Sequence, residues 1–266
     1  MAGGAALTPW PFDRQYMQLA LVAGLVVGAS APLIGAFLVQ KRLSLMGDGI
    51  GHLAFAGVAG GLALNVAPVW VALGVAVVGA VAVERLRARG RASGDLALAL
   101  FFYSGIAAGV VLTGLAGSLN ANIFSYLFGS ILTVQTSDVW IVVALGGTIL
   151  ATLALTGRAL FAVVVDEEAA RVAGIPVDVL NTILAVLTAV VIVAAMRVVG
   201  ILLVAALMVL PVGASQQLTG SFRRTVLAAV GIGLGSVVVG LMAARVWGLA
   251  AGGTVVLVAA GAFAVT

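Results

Sequence analysis

Nine runs of mainly apolar residues follow one another along this chain, near 16–39, 49–64, 68–83, 96–117, 138–157, 178–196, 200–218, 225–244 and 253–266. The short turns between them hold most of its charge. About 20 such residues cross the hydrocarbon core of a bilayer as a helix, and a helix satisfies every backbone N–H and C=O without help from water. A transmembrane β-barrel would alternate lipid-facing and lumen-facing residues with period 2, and these continuous runs do not. The chain is therefore expected to be an all-α integral membrane protein. It should form one polytopic bundle of about eight or nine transmembrane helices, a single domain over 1–266. The second and last runs are short, so partial, broken or tilted crossings are expected there. Composition agrees, because 63% of the 266 residues are hydrophobic and 8% are charged, against about a quarter charged in an ordinary soluble domain.

The turns carry an orientation. If the runs alternate in direction, Lys41, Arg42, Arg85, Arg87, Arg89, Arg91, Arg158, Arg171, Arg223 and Arg224 share one side, and Arg14, Arg197 and Arg245 the other. The cation-rich side is then cytoplasmic. The formal net charge of +4 sits in short clusters and forms no continuous stripe, so nucleic acid is not an expected partner; the lipid bilayer is. The opening MAGGAALTPWPFDRQ lacks the cationic stretch of a signal peptide, and the first run is expected to remain in the mature protein.

Three segments interrupt the apolar pattern. Residues 121–135 (ANIFSYLFGSILTVQ) read as an interfacial or re-entrant helix on the outer side, anchored by Phe124, Tyr126 and Phe128. Pro211 inside the seventh run removes a backbone hydrogen bond and should kink or interrupt it. In VDEEAARVAGIPV (165–177), Asp166 can cap a short helix whose first turn holds Glu167 and Glu168, with Arg171 toward its end. Gly174 suits a left-handed stop, and Pro176 prevents continuation. Such a helix is either a solvated connector or a piece that docks into a soluble partner and passes motion to the spans.

Ionisable groups inside a span are costly unless they face a cavity or a partner. Asp48 and His52 are such groups, and their four-residue spacing puts both on one face of a helix, about 6 Å apart along its axis. Aspartate and histidine are good ligands for zinc, manganese and ferrous iron. Two readings stand: the pair meets a metal ion, or Asp48 caps the helix or pairs with Lys41 or Arg42 while His52 donates to a carbonyl. The pair alone is an incomplete site, which waters or a second copy could finish. Nothing points to catalysis by the chain itself. It contains no cysteine, its only lysine sits in no phosphate-binding loop, and Gly231, Gly233 and Gly235 follow no strand. Those glycines read as a helix-packing face, as do Gly24 with Gly28 and Gly105 with Gly109.

PLIGAFLVQKRLSLMGDGIGHLAFAGVAGG (32–61) resembles the signature of the zinc/manganese/iron ABC-transporter permeases, the metal ABC transporter membrane subunits of the ABC-3 type. There a glycine-containing first span leads to a basic turn, then G-D-x-x-x-H and a small-residue helix. FSYLFGSILTVQTSDV, VDEEAARVAGIPV and MRVVGILLVAALMVLPVGASQQLT resemble, in order, the family's outer aromatic segment, its coupling loop and its late hairpin. The likeness covers roughly 15–260. It implies the importer-type ABC permease fold and a homodimer of permeases. A separate cytoplasmic ATP-binding subunit and an extracytoplasmic metal-binding protein would be its partners, in the plasma (inner) membrane of a bacterium. Asp48 and His52 match the motif residues expected to touch the metal, and Asp166, Glu167, Glu168, Arg171 and Gly174 match the coupling helix. No permanently bound cofactor is implied; the cargo would be Zn2+ or Mn2+, with Fe2+ behind them. WGLAAGG (247–253) departs from the pattern by lacking the acidic residue and proline that members often carry there. An ion-coupled secondary metal transporter using the same pair, or an ABC permease for a metal chelate or vitamin, are the rival readings.

Overall fold

The computed structural model describes residues 11–89, 94–115 and 121–266. Eleven α-helices follow in order: α1 (Gln15–Gln40), α2 (Met46–Ala63), α3 (Pro68–Ala88), α4 (Gly94–Leu115), α5 (Ala121–Phe128), α6 (Thr136–Val165), α7 (Glu167–Val172), α8 (Val177–Ala195), α9 (Ile201–Leu218), α10 (Phe222–Trp247) and α11 (Ala251–Val265). Seven of them, α1, α3, α4, α6, α8, α9 and α10, are long and apolar enough to cross a membrane. The two remaining candidates are the two runs expected to be marginal. Helix α2 is 18 residues long but carries Asp48 and His52, and α11 has 15 residues. Among the described residues there is no strand.

Close contacts show that directions alternate. Gly24 and Gly28 of α1 lie against Val237 and Gly233 of α10, an antiparallel pair, and Gly57 and Gly61 of α2 lie against Ala72 and Pro68 of α3. Helix α4 runs parallel to α2, with Gly105 beside His52 and Gly109 beside Phe55. Lipid tails are as apolar as the side chains, so such helices associate through packing, and glycine lets backbones approach. A methyl group at Gly57 would stand 2.6 Å from Cα of Ala72. Of the three late glycines, Gly233 alone makes this kind of contact, against the Gly28 carbonyl and the Pro32 ring; Gly231 and Gly235 face open space. At 100° per residue, positions 231 and 235 share a helix face that 233 does not.

Helix α8 is the most deeply packed, with Ala185, Thr188 and Ile192 fully buried, and α1 buries Ala20, Val27 and Ile34 as completely. Helix α9 runs unbroken through Pro211, so the proline does not interrupt it. Helix α6 extends to Val165, eight residues past the expected end of its run, and Arg158 sits on the helix rather than in the following turn. The cations grouped by the turns do share one end of the bundle, apart from Arg91, which lies outside the described residues. Lys41 at the end of α1 meets Glu167 of α7 and Asn181 of α8, and Arg87 meets Glu84 at the end of α3. At the opposite end, Arg245 of α10 donates to the hydroxyl of Tyr16, and Arg197 lies over the Tyr126 ring.

Candidate functional site

Helix α2 begins at Met46 after a tight basic turn. Arg42 closes α1 in the left-handed region (φ 59°), its amide bonded to the Val39 carbonyl and that of Leu43 to Leu38. Three residues on, α2 starts, and Asp48 falls in its first turn, where a carboxylate faces the positive end of the helix dipole. The helix takes no side-chain cap from Asp48, and Lys41 is engaged elsewhere. Among the described residues Asp48 makes no ion pair or hydrogen bond, so neither form of its structural reading describes it.

Asp48 opens into a cavity of about 340 Å³ between α2 and α4, lined by Leu45, Gly49, Leu98, Ala99, Phe102 and Tyr103. One turn further, the His52 ring meets Phe102 edge-on, with centroids 4.3 Å apart at 74°. Both side chains are half-buried, and the sequence-spaced pair does share one face, turned toward α4. Gly105 sets this geometry, since a methyl group there would stand 2.8 Å from the His52 carbonyl carbon and 2.9 Å from the Leu53 amide. The close approach brings Phe102 beside His52. Among the described residues no group of three or more His, Cys, Asp or Glu gathers, and the Asp–His pair is what they offer at this place.

The short charged helix lies at the basic end as its residues predict. Asp166 Oδ1 accepts from the Ala169 amide at 2.9 Å, and Gly174 (φ 79°) ends α7 before Pro176. Glu168, Ala169, Val172 and Ala173 project outward, with Val172 90% exposed. The inner side of α7 is clamped. Lys41 Nζ donates to Glu167 Oε2 at 2.9 Å and to Asn181 Oδ1 at 2.5 Å, and Asn181 donates back to Glu167 at 3.4 Å. The Lys41 side chain is only 6% exposed. Arg171 extends the set to Asp178 at 3.0 Å. Burial pushes the Glu167 carboxyl up, but its hydrogen bond from Lys41 and the charges of Lys41 and Arg87 outweigh this and hold it below the usual carboxylate value. This clamp joins α7 to the end of α1, and so to the turn that leads into Asp48. Sequence reasoning used Lys41 for orientation and, in one reading, as a partner of Asp48; its actual partners are 126 and 140 residues away, and no local pattern connects them.

At the opposite end the expected interfacial segment is α5 followed by a 3₁₀ turn at Ile131–Thr133. Phe124 and Phe128 are exposed and stacked with centroids 6.3 Å apart, as anchors would be. Tyr126 instead turns inward, 5% exposed, with the Arg197 guanidinium 4.7 Å from its ring centre. Arg197 Nε lies 3.2 Å from Asp138, whose carboxylate also caps α6 through the Gln135 amide. Gly129 (φ 72°) and Gly200 (φ 91°) allow the α5 and α8–α9 turns to cross in direct backbone contact. The 247–253 stretch forms the turn from α10 into α11, with Gly248 left-handed, and presents no acidic group.

Comparison with known proteins agrees with this architecture. The family model of the ABC 3 transport family matches residues 13–266. A probable metal transport system membrane protein of Treponema pallidum is 35% identical over 243 residues, covering 91% of each chain. A manganese transport system membrane protein of Halalkalibacterium halodurans is 31% identical, covering 94% of this chain and 85% of its own. A high-affinity zinc uptake system membrane protein of Haemophilus influenzae is 30% identical, covering 91% and 92%. Among solved structures, PsaBC from Streptococcus pneumoniae in complex with Fab superposes with a TM-score of 0.85 at 30% identity, over 95% of this chain and 91% of that one. With its motifs, its polytopic helical fold and these matches in accord over nearly its whole length, the chain belongs to the ABC 3 transport family.

Proposed function

We propose that this chain is the membrane-spanning permease subunit of an ABC importer for a divalent transition metal, zinc or manganese ahead of iron. The observation that carries the proposal is the Asp48–His52 face turned toward α4: Asp48 opens into the cavity between α2 and α4, His52 follows one turn on, and among the described residues neither makes a polar contact. An ionisable pair on a helix packed among apolar spans is tolerated where it faces a cavity, an ion or a second subunit. One chain supplies an oxygen and a nitrogen ligand. Two copies facing each other would supply two of each, which matches the four-ligand preference of zinc and, with waters, the larger coordination number of manganese. Relatives named for manganese transport and for zinc uptake both occur, manganese more often.

The subunit performs no covalent chemistry in this reading. A separate ATP-hydrolysing subunit docks on the cation-rich, cytoplasmic end, where the outward face of α7 offers Glu168, Val172 and Gly174, and its closure drives alternating access. Lys41 ties α7 to α1, so a displacement of α7 reaches the turn before Asp48. An extracytoplasmic binding protein delivers the ion to the opposite end, near α5.

The test is radiotracer Zn2+ and Mn2+ uptake in an uptake-deficient bacterium carrying the chain with its neighbouring ATPase and binding protein. Uptake that requires the ATPase and disappears in Asp48→Ala and His52→Ala variants of normal abundance is the expected result. Uptake that persists without the ATPase would establish a secondary transporter instead, and uptake unaffected by either substitution would refute the role of the pair.

A further inference from the structure

At the basic end, on the flank of the bundle away from α2 and α4, the outer surfaces of α1, α6 and α10 leave an apolar groove of about 580 Å³. Leu33 and Phe37 of α1, Leu153 and Phe161 of α6, and Phe222 and Val226 of α10 form its walls. Phe222 knits them together, its ring 5.2 Å from Phe37 and 4.9 Å from Phe161. Gly157 leaves the groove open along α6, since a methyl group there would meet nothing within 4 Å.

Two arginines, Arg158 and Arg223, line the same groove. Both are exposed, and among the described residues neither has a carboxylate partner. Their situation differs from that of Arg87, Arg171 and Arg197, each of which is paired with an acid. Arg158 stands seven residues before the end of α6, roughly 10 Å inward at the helical rise, so its guanidinium sits on the lipid-facing wall near the interface. A cation in that position reaches the headgroup level, where lipid phosphate is the anion at hand. A second copy brought to the Asp48–His52 face would not cover it, because α4 packs on α2 and α3 while α6 and α10 pack on α1 from the other side.

We propose that this groove is a binding site for one anionic phospholipid of the leaflet at the basic end. The phosphodiester is held between Arg158 and Arg223, and an acyl chain lies along the phenylalanine-lined wall. Guanidinium groups bind phosphate oxygens bidentately, and basic pockets between transmembrane helices on the cytoplasmic side suit acidic headgroups. The site needs only the bilayer and is independent of the metal cargo.

Native mass spectrometry of the full-length protein, released from vesicles of equal phosphatidylglycerol and phosphatidylcholine, tests the assignment. One phosphatidylglycerol per chain should be retained in at least tenfold preference to phosphatidylcholine. Arg158→Gln/Arg223→Gln should abolish that preference, whereas Arg85→Gln/Arg89→Gln should keep it. Gly157→Phe, which fills the groove and leaves both arginines in place, should also displace the lipid, so the result does not hang on the arginine variant folding. Equal retention of the two lipids, or undiminished phosphatidylglycerol on either the arginine or the Gly157→Phe variant, would overturn the proposal.

Discussion

Replacing Lys41 by Met tests the clamp between the coupling-type helix and the transmembrane core. In the native structure the ammonium group donates at 2.9 Å to Glu167 and at 2.5 Å to Asn181, from a side chain only 6% exposed. A hydrogen bond to a charged group contributes about 1.5–3 kcal/mol when buried. Glu167 is 41% exposed, so water screens its share and the lower figure applies to that bond. Methionine keeps the aliphatic stem packed and removes the charged donor group. The residual Asn181–Glu167 bond, at 3.4 Å, returns little. The Asn181 bond joins α1 to α8 and does not hold α7, so the expected cost of undocking α7 falls by about 1.5 kcal/mol, a factor of roughly 10 in its open population, at about 1.4 kcal/mol per tenfold. Hydrogen–deuterium exchange reads this population directly, because the Ala170 and Ala173 amides bond within the α7 turn. In Lys41→Met these amides should exchange about one order of magnitude faster, while the deeply packed centre of α8 keeps its protection. Unchanged α7 exchange would show that the helix is held by its own cap and by Arg171, and that Lys41 transmits nothing. A parallel loss at α8 would mean that the substitution acts on global stability and not on the clamp.

Acid should loosen the same clamp. Glu167 is held below its ordinary value of 4.5, so its contribution is fully present above that pH and fades as pH falls through its lowered folded value. The difference in α7 protection between wild type and Glu167→Gln should accordingly be constant from pH 7 to about 5 and vanish at lower pH; a difference that grew on acidification would contradict the assignment. Gly105→Ala places a methyl group 2.8 Å from the His52 backbone and should cost about 1–3 kcal/mol in an unfolding titration, while Gly231→Ala, facing open space, should be neutral or slightly stabilising. Equal effects at the two glycines would refute the close α2–α4 approach.

Much of this protein is legible without coordinates because the bilayer reduces the problem to few variables. Run length against hydrocarbon thickness predicts the helices, and the distribution of cations predicts which turns share an end. The cap at Asp166 and the stop at Gly174 are local chemistry and read directly from VDEEAARVAG. The Asp48–His52 spacing likewise predicts a shared face, because four residues on a helix leave no other choice. What tertiary structure decided is everything that depends on which helix lies next to which. Lys41 could have paired with Asp48, seven residues further on, or with Glu167 far beyond it; packing of α1 against α8 chose the second and left Asp48 facing the cavity. Tyr126 reads as an interfacial anchor by composition, yet Arg197, brought in by the α8–α9 turn, draws it inside. The three glycines of α10 look alike in sequence, and only the approach of Gly28 and Pro32 distinguishes Gly233 from its neighbours. In a chain whose helices are nearly uniform in hydrophobicity, neighbour choice rests on small-residue notches and single polar contacts between distant segments, and those are set by the shape of the assembled bundle.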